Sequence, residues 1–450
     1  MLTNEKLQAA LHLLEITGGE QQADPGPSEA GLVDLIAGAE TLKRLLCAHQ
    51  ALATAALAAT VEAADAERGV PTARRGRSVA PMVARARGLS ESRGGRHTAA
   101  ATVLVREMPQ TFDALRGGRI EEWTAHQLVA ATNDLTSADR RRVDEALTRQ
   151  LTAPGEGGRR LVGSARALAQ QLDPAAALTA ARRAAADRRV TLRPAPDCMT
   201  YLTAVLTAED GYRVQASLNH AAATLVAAND PRAGEARTHA QLTADLLVDL
   251  ITGADPVTDP VPTKLHLVMT DSTLFGTDGP AGDAPATIPG VGPVPADLAR
   301  QIAATAATND RLWIQRLFLS PDRSRLVAME SDTRLYPSGL AQLIRLRDQR
   351  CAAPFCDAPI RHLDHVTPVA EGGRTSFANG EGLCVRCNHT KELPGFRVVR
   401  DDAAGTTTWT IPTGHTLTRN DPPPLGYPEL LPALMDIPPP EPEEPDEPAA

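Results

Sequence analysis

The sequence predicts a mostly α-helical chain of several domains, with a small metal-stabilised module near its C-terminal end. Hydrophobic residues make up 42% of the 450 residues but aromatic residues only 3%. A core of Ala, Leu and Val suits helices better than β-sandwiches. Long segments also carry apolar residues at helical spacing, and four of the six cysteines share one short window. The length corresponds to roughly two to three domains.

The N-terminal part is predicted to be a long helical region. Residues 1–28 end in a patch of Gly, Pro and Ser and are expected to be a flexible terminus. The segment from Glu29 to about Glu67 has the apolar spacing of one amphipathic helix. Its apolar positions are Leu35, Ala39, Leu42, Leu46, Ala53 and Leu57. Asp173 followed by Pro174 is a typical helix start.

The apolar period changes after residue 189, where strands are predicted among the helices. The strand candidates are residues 190–193, 199–205, 264–270, 313–319 and 325–329, the last two as a hairpin. Residues 276–295 are rich in Gly and Pro and predict a loop, and a further helix begins at Pro295. We assign residues 29–336 to one mainly helical domain that is mixed α/β after residue 189.

The formal net charge of −9 does not exclude a nucleic-acid partner, because the acids are concentrated in a tail. Residues 421–450 hold eight acids and no Lys or Arg, and without those acids the net charge is −1. This Pro- and Glu-rich tail is predicted to be disordered. Residues 341–400 carry nine Lys or Arg against six Asp or Glu.

Hydropathy and the first residues predict the compartment. No apolar run comes close to the roughly 20 residues of a membrane span. The first twenty residues lack the basic start and apolar stretch of a signal peptide. We therefore expect a soluble cytoplasmic protein with no membrane partner.

Two short-spaced cysteine pairs predict a zinc site. The four residues are Cys351, Cys356, Cys384 and Cys387. In a chain without a secretion signal, such pairs favour a metal over disulfides. Four thiolates can meet one tetrahedral Zn²⁺, so we predict a structural zinc in a module with little core of its own. Cys47 and Cys198 stand alone and are expected to be buried thiols.

A second polar group lies between the cysteine pairs. Asp364 and His365 are adjacent, so an extended backbone points them to opposite faces unless the strand ends or bends there. Pro368 fits a chain leaving the strand, Gly372-Gly373 supplies a tight turn, and Asn379 lies on the returning segment.

A short helix from Cys384 to Lys391 is predicted next, with Asn388 one turn after Cys384. A carboxylate and an amide oxygen suit Mg²⁺ or Mn²⁺ better than a second zinc. An imidazole beside that ion suits general-base activation of water.

The segment from about Arg345 to Phe396 resembles the HNH endonuclease motif, a ββα-metal nuclease fold, here with an added four-cysteine zinc site. By that resemblance His365 is the general base, and Asn379 orients it through the loop backbone. Asp364 binds the divalent ion together with the third motif position. That position is Asn388 here, where many relatives carry His. The resemblance implies a nuclease module over residues 337–400, followed by a short extension over residues 401–420.

The upstream region is similar to a large helical domain of unknown function that commonly precedes HNH modules. The similarity covers most of residues 29–345 and implies no chemistry beyond a DNA-positioning role. The motifs that carry it are residues 93–97, 268–274, 290–295 and 344–351. The arginines between Arg74 and Arg96 either contact nucleic acid or lie on a solvated helix face.

The predicted function is hydrolysis of phosphodiester bonds in DNA, most simply double-stranded DNA. Backbone phosphates would be contacted by positive side chains, namely those of Arg361, Arg374, Arg386 and Lys391. His362 either contacts the scissile strand or lies on the other face of its β-strand. Two alternatives stay open: a zinc-stabilised DNA-binding protein that cleaves weakly or not at all, and a scaffold protein whose helical region is the working part.

Overall fold

The computed structural model describes most of the chain and confirms the mostly helical class with a few strands. The described residues are 29–152, 158–228, 230, 237–252, 265–276, 282–308, 330–331 and 335–422. The predicted flexible N-terminus, the hairpin over residues 313–329 and the tail from residue 423 lie outside them.

The chain divides into two compact units. The first contains residues 1–181, 330–337 and 350–420, and the second contains residues 182–329, 338–349 and 421–450. The domain boundaries drawn from the sequence stay a prediction.

Helices make up the N-terminal part of the first unit. In chain order they are α1 (Glu29–Glu67), α2 (Val79–Ala86), α3 (Glu91–Glu107), α4 (Pro109–Arg116), α5 (Glu122–Ala131), α6 (Ser137–Ala146), α7 (Thr148–Thr152), α8 (Gly158–Leu172) and α9 (Pro174–Ala186). Helix α1 has the predicted bounds. Its predicted apolar face is wrong over most of its length, because Leu35, Ala39, Leu42, Leu46 and Ala53 are exposed. Asp173 begins α9 as predicted, since its Oδ1 accepts a hydrogen bond from the Ala176 N–H at 2.8 Å.

Leucine and alanine side chains form the helical core, as the low aromatic content predicts. The largest fully buried side chains there are Leu104, Met108, Leu115, Leu128, Leu147 and Leu161. Four of them lie in α3, α4, α5 and α8, and the other two, Met108 and Leu147, directly follow α3 and α6. Burying one such side chain contributes roughly 1.5–3 kcal/mol.

Helix α1 is the one described helix with the length and composition of a membrane span. An 18-residue window within it has a mean hydropathy of 1.3, and 28% of that window is buried. The statement that no apolar run approaches such a length is therefore wrong. The length and composition of a helix do not by themselves distinguish a membrane span from a helix of a soluble protein. The expected absence of a membrane partner therefore stays a prediction.

A polar cluster lies among the helices of the first unit. His97 and His126 pack edge to face with ring centroids 4.6 Å apart, and Arg87 lies 3.1 Å from the Glu122 carboxylate. Burial lowers the pKa of His126 to about 4, so its imidazole is neutral at pH 7. Burial opposes ionisation of Glu122, but contact with His97 and the charge of Arg87 lower its pKa to about 2.

The second unit is mixed α/β. Its elements are β1 (Arg189–Pro194), β2 (Thr200–Val205), α10 (Ala208–Ala227), α11 (His239–Thr252), α12 (Asp271–Phe275), β3 (Ala286–Ile288), β4 (Gly292–Val294), α13 (Ala296–Thr308) and α14 (Ser338–Asp348). Strands β1 and β2 form the antiparallel pair that their alternating residues predict. The helix predicted at Pro295 is α13.

Two strand-level predictions for this unit are wrong. Residues 264–270 are predicted to form a strand. Within the described residues of that segment, only Val268 forms a β-bridge, an isolated one to Thr287. The predicted loop contains the hairpin β3–β4, with Ile288 opposite Gly292. Gly290, at φ 80°, supplies the left-handed backbone that this turn needs. A Gly- and Pro-rich composition therefore marks the turn without excluding the short strands beside it.

The C-terminal part of the first unit consists of short strands around one helix. The elements are β5 (Glu330–Ser331), β6 (His362–His365), β7 (Thr375–Ser376), β8 (Gly380–Leu383), α15 (Val385–Lys391), β9 (Arg397–Asp401), β10 (Thr406–Thr410) and β11 (Thr416–Asn420). The pairs β6–β8 and β5–β7 are antiparallel. Strand β10 lies between β9 and β11 in a three-stranded sheet.

One hydrophobic core joins this C-terminal part to the helices of the same unit. Met82 of α2 and Trp409 of β10 are buried in the same cluster as the four cysteines. The cluster also contains Leu383, Phe396 and Ile411, with Leu57 and Val61 of α1 packed against it. The four-cysteine region therefore rests on α1 and α2 as well as on its own strands.

A buried ion pair lies beside this core. Arg85 Nη1 is 2.7 Å from Glu91 Oε1, and the side chains are 0% and 5% exposed. The geometry of this contact does not meet the criteria of a hydrogen bond. The two side chains therefore interact as opposite charges. Burial raises the pKa of Glu91, and the charge of Arg85 opposes that shift. The Arg85 guanidinium also lies 4.8 Å from the ring centroid of Trp409, in cation–π range.

We predict that Trp409→Ala lowers the free energy of unfolding of the first unit by about 3–5 kcal/mol, because it leaves a cavity in the shared core. Denaturant unfolding followed by circular dichroism measures this. Trp123→Ala is the matched control: that side chain is 65% exposed, and its removal should change stability by no more than about 0.5 kcal/mol. Equal losses in the two variants would contradict the shared core.

Candidate active site

Strands β6 and β8 and helix α15 form a ββα frame. The register pairs His362 with Leu383 and His365 with Gly380. Strand β6 ends at His365. Cys384 is the N-cap of α15, and the Asn388 N–H donates to its carbonyl oxygen at 3.0 Å. This is the predicted one-turn spacing.

The four C-terminal cysteines converge at one point. Their sulfur atoms all lie within 4.8 Å of one another, and all four residues are buried. Cys356 Sγ and Cys384 Sγ are 3.9 Å apart. A tetrahedral zinc with bonds of about 2.3 Å would hold its sulfur ligands about 3.8 Å apart. The cluster therefore fits a structural zinc with no position left for water.

Local backbone geometry brings the thiols together. Between Cys351 and Cys356 the chain turns back through Phe355, which has a left-handed φ of 60°. The Cys387 N–H donates to Cys384 Sγ at 3.4 Å. Hydrogen bonding among the crowded thiols separates their pKa values, raising the pKa of Cys387 and lowering the pKa of Cys384. Four thiolates at this spacing need a cation between them.

Strand β6 presents His362 and Asp364 toward α15. Asn388 Nδ2 is 3.5 Å from His362 Nδ1, and Asp364 Oδ2 forms an ion pair with Lys391 one turn further along the helix. Asn388 Oδ1 is buried and has no hydrogen-bond partner among the described residues. The Asp364 side chain is 30% exposed. This face thus offers a carboxylate oxygen and an amide oxygen to a cation.

Lys391 lies at the centre of a buried charge network. Its Nζ donates to Glu381 Oε1 at 3.0 Å and to the main-chain oxygen of His365 at 2.6 Å. Burial opposes its charge, but Glu381 and Asp364 raise the pKa of Lys391 above its usual range. Lys391 therefore fixes the end of β6. It is not exposed for the phosphate contact predicted from the sequence, because its side chain is 6% exposed.

His365 lies on the face of β6 opposite to Asp364, as the alternation of a strand requires. Its Nε2 is 2.9 Å from Thr375 Oγ1, and its ring centroid is 4.8 Å from that of Tyr336. The Tyr336 hydroxyl donates to the main-chain oxygen of Asp364 at 3.2 Å. The ring of His365 is therefore held between a hydroxyl group and an aromatic ring.

Asn379 holds the loop that follows His365. Its Oδ1 accepts from the Thr367 N–H at 2.8 Å, and its Nδ2 donates to the Thr367 and Arg374 carbonyl oxygens at 3.0 and 2.9 Å. Its own carbonyl oxygen accepts from the Val366 N–H at 2.8 Å. Gly372 has a left-handed φ of 87°, and a Cβ at Gly373 would collide with the Thr367 carbonyl group. The loop therefore needs both glycines.

The other predicted contact residues lie on the surface. Arg361, His362, Arg374 and Arg386 are exposed. The Arg386 guanidinium lies close to Gly95 of α3, and Arg93 and Arg96 on that helix are also exposed. The sequence motif around Gly94-Gly95 thus places positive side chains beside α15.

Sequence reasoning missed Thr375, Tyr336 and Glu381. Thr375 and Tyr336 reach His365 from distant segments, and no local pattern marks such contacts. Glu381 carries a weak signal, since it is an acid between glycines in a strand that pairs with Asp364. Its burial and its bond to Lys391 appear only in the fold.

Comparisons with known proteins agree with this geometry. Residues 39–348 match the family described as a domain of unknown function, DUF222, and residues 349–392 match the family described as HNH endonuclease. Over 220 residues the chain is 30% identical to a Mycobacterium tuberculosis protein named Uncharacterized protein Rv3776. That alignment covers 40% of this chain and 40% of the relative. No solved structure matches the chain.

We predict that Cys387→Ser releases one equivalent of zinc and lowers the unfolding temperature of the first unit. A fully buried ligand is lost, and metal-binding free energy is folding free energy. Metal analysis and differential scanning calorimetry measure both effects. Cys198→Ser, at a half-buried thiol of the second unit, should change neither. Unchanged zinc content in Cys387→Ser would show that the thiols do not bind zinc.

Proposed function

Since the chain belongs to the DUF222 family and carries an HNH endonuclease domain, we propose that it hydrolyses phosphodiester bonds of double-stranded DNA in a reaction that needs Mg²⁺ or Mn²⁺. The observation that carries this proposal is the buried Asn388 Oδ1, which lacks a hydrogen-bond partner within the described ranges. It lies one helical turn before Lys391, whose partner is Asp364.

The residues on this face fit a hard divalent ion. Asp364 supplies a carboxylate that is 30% exposed, and Asn388 supplies an amide oxygen. Such oxygen ligands suit Mg²⁺ or Mn²⁺. Glu381 and Asp364 together carry two negative charges against the one positive charge of Lys391, so this face favours a cation. An ion bound here would neutralise charge that develops on the phosphate.

His365 is the proposed general base. Thr375 and Tyr336 limit the orientation of its ring, and the loop that Asn379 holds begins directly after it. Orientation of this kind supports proton transfer, because a base must lie within hydrogen-bond reach of the water it activates. The role of Asn379 is to position the base through the backbone.

We predict that the purified protein nicks or cleaves supercoiled plasmid in Mg²⁺ or Mn²⁺, and that His365→Ala lowers the rate about 10²- to 10⁴-fold, the usual contribution of a general base. Gel analysis of plasmid forms measures this rate. His415→Ala removes an exposed imidazole of the C-terminal sheet and should cleave at the wild-type rate. Full activity in His365→Ala, with zinc content unchanged, would contradict the assignment of the base.

The ion pair between Lys391 and Asp364 favours a second candidate, a zinc-stabilised module that binds nucleic acid without cleaving it. In that case the Lys391 ammonium group stays paired with the Asp364 carboxylate, which is then not available to bind a divalent ion. The same plasmid assay separates the two functions. Binding without cleavage across a panel of Mg²⁺, Mn²⁺, Ca²⁺ and Zn²⁺ would support this alternative and overturn the nuclease proposal.

We predict that Arg386→Ala weakens DNA binding mainly by removing one phosphate contact. The slope of log affinity against log salt concentration should then fall by about 0.9. Fluorescence anisotropy over a salt series measures the slope. Arg213→Ala is the control, since this arginine is 73% exposed in the second unit and should leave the slope unchanged. An unchanged slope in Arg386→Ala would exclude the contact.

A further inference from the structure

A second group of metal-ligating side chains lies outside the HNH domain, among helices of the first unit. His97 comes from α3, and Glu122 and His126 come from α5. One ligand atom of each residue lies within 4.8 Å of those of the other two. Glu122 and His126 are four residues apart on a helix, so both side chains lie on one face. The three residues come from two helices, so no local sequence pattern places them side by side.

Arg87 contacts the same atoms. Its Nη1 is 2.8 Å from His97 Nδ1 and 3.1 Å from Glu122 Oε1. A guanidinium only donates hydrogen bonds, so this contact is a hydrogen bond in the tautomer whose Nδ1 lone pair faces Arg87. The lone pair of His97 and the Glu122 carboxylate therefore both point toward a cation. In the described structure that cation is the side chain of Arg87.

His126 has no hydrogen-bond partner for either ring nitrogen within the part of the chain that the structure describes, although it is half-buried. Its ring stands edge to face against His97 with centroids 4.6 Å apart. The His126 side chain is therefore free to offer a ring nitrogen to a metal ion between the two imidazoles and the carboxylate.

We infer that His97, Glu122 and His126 bind a divalent transition-metal ion, with Zn²⁺ as the best fit, and that Arg87 takes its place when the ion is absent. Two imidazoles and one carboxylate suit zinc better than Mg²⁺, and such a set leaves a fourth position open. The site is separate from the HNH domain and does not depend on the proposed nuclease activity.

The distances fit this inference. Ligand atoms about 2.0–2.2 Å from a tetrahedral zinc lie roughly 3.3–3.6 Å apart, and His97 Nδ1 is 3.4 Å from Glu122 Oε1. The His126 ligand atom needs a shift of no more than about 1.5 Å to reach the same spacing, which a small side-chain rotation provides. Arg87 follows the end of α2, and its side chain is 19% exposed. It can therefore turn toward solvent and release both ligands.

The experiment is a zinc and cobalt titration of the full-length protein. We expect two equivalents of zinc in the wild type, one held by the four cysteines, and one equivalent in His126→Ala and in Glu122→Gln. With Co²⁺, these variants should keep the thiolate-to-cobalt charge-transfer band and lose only the absorption of the nitrogen- and oxygen-bound ion. His220→Ala, at an exposed histidine of the second unit, should keep both signals.

Arg87→Ala provides a test that misfolding cannot imitate. Removal of the competing cation should raise zinc affinity at this site by about tenfold, or roughly 1.4 kcal/mol. One equivalent of zinc in both the wild type and Arg87→Ala would show that the group is a fixed ion pair and would overturn the inference. Two equivalents that survive in both His126→Ala and Glu122→Gln would also overturn it.

Discussion

Coordination of one cation by four cysteine thiolates is the interaction on which the arrangement of the candidate active site depends. Strands β6 and β8 contribute only four residues each, and an isolated hairpin of that size is marginal in water. A structural zinc adds about 10–16 kcal/mol of apparent binding free energy in small domains. Cys384 is both a ligand and the N-cap of α15, so the zinc site also fixes where that helix begins.

The same cysteines are part of a larger core. Met82 and Trp409 are buried in one cluster with the cysteines, and Arg85 and Glu91 place a charge pair next to that core. The helical region therefore supports the HNH domain physically. This packing gives the DUF222 region a structural role that its sequence motifs do not state. It also places the exposed Arg93 and Arg96 of α3 near Arg386.

Much of the site could be predicted from the sequence because its parts are local. The two cysteine pairs, the glycine turn and the one-turn spacing from Cys384 to Asn388 follow from short-range geometry. The bounds of α1 also match the prediction, but its buried face consists of other residues than the predicted apolar positions. Lys391 is the instructive exception: a lysine near the end of a short helix suggests a surface charge, but it is buried by Glu381 and Asp364, which belong to two different strands. The group of His97, Glu122 and His126 could not be predicted from the sequence, because its members come from two helices and only helix packing brings them together.

The most direct test of the account is a crystal structure of the protein with Mn²⁺ and a short DNA duplex, in which anomalous scattering locates each metal. We expect zinc at the centre of the four cysteine sulfur atoms. We also expect manganese bound by Asp364 and Asn388, with His365 facing the phosphate at that ion. Manganese bound elsewhere, with Lys391 still paired with the Asp364 carboxylate beside bound DNA, would contradict these assignments.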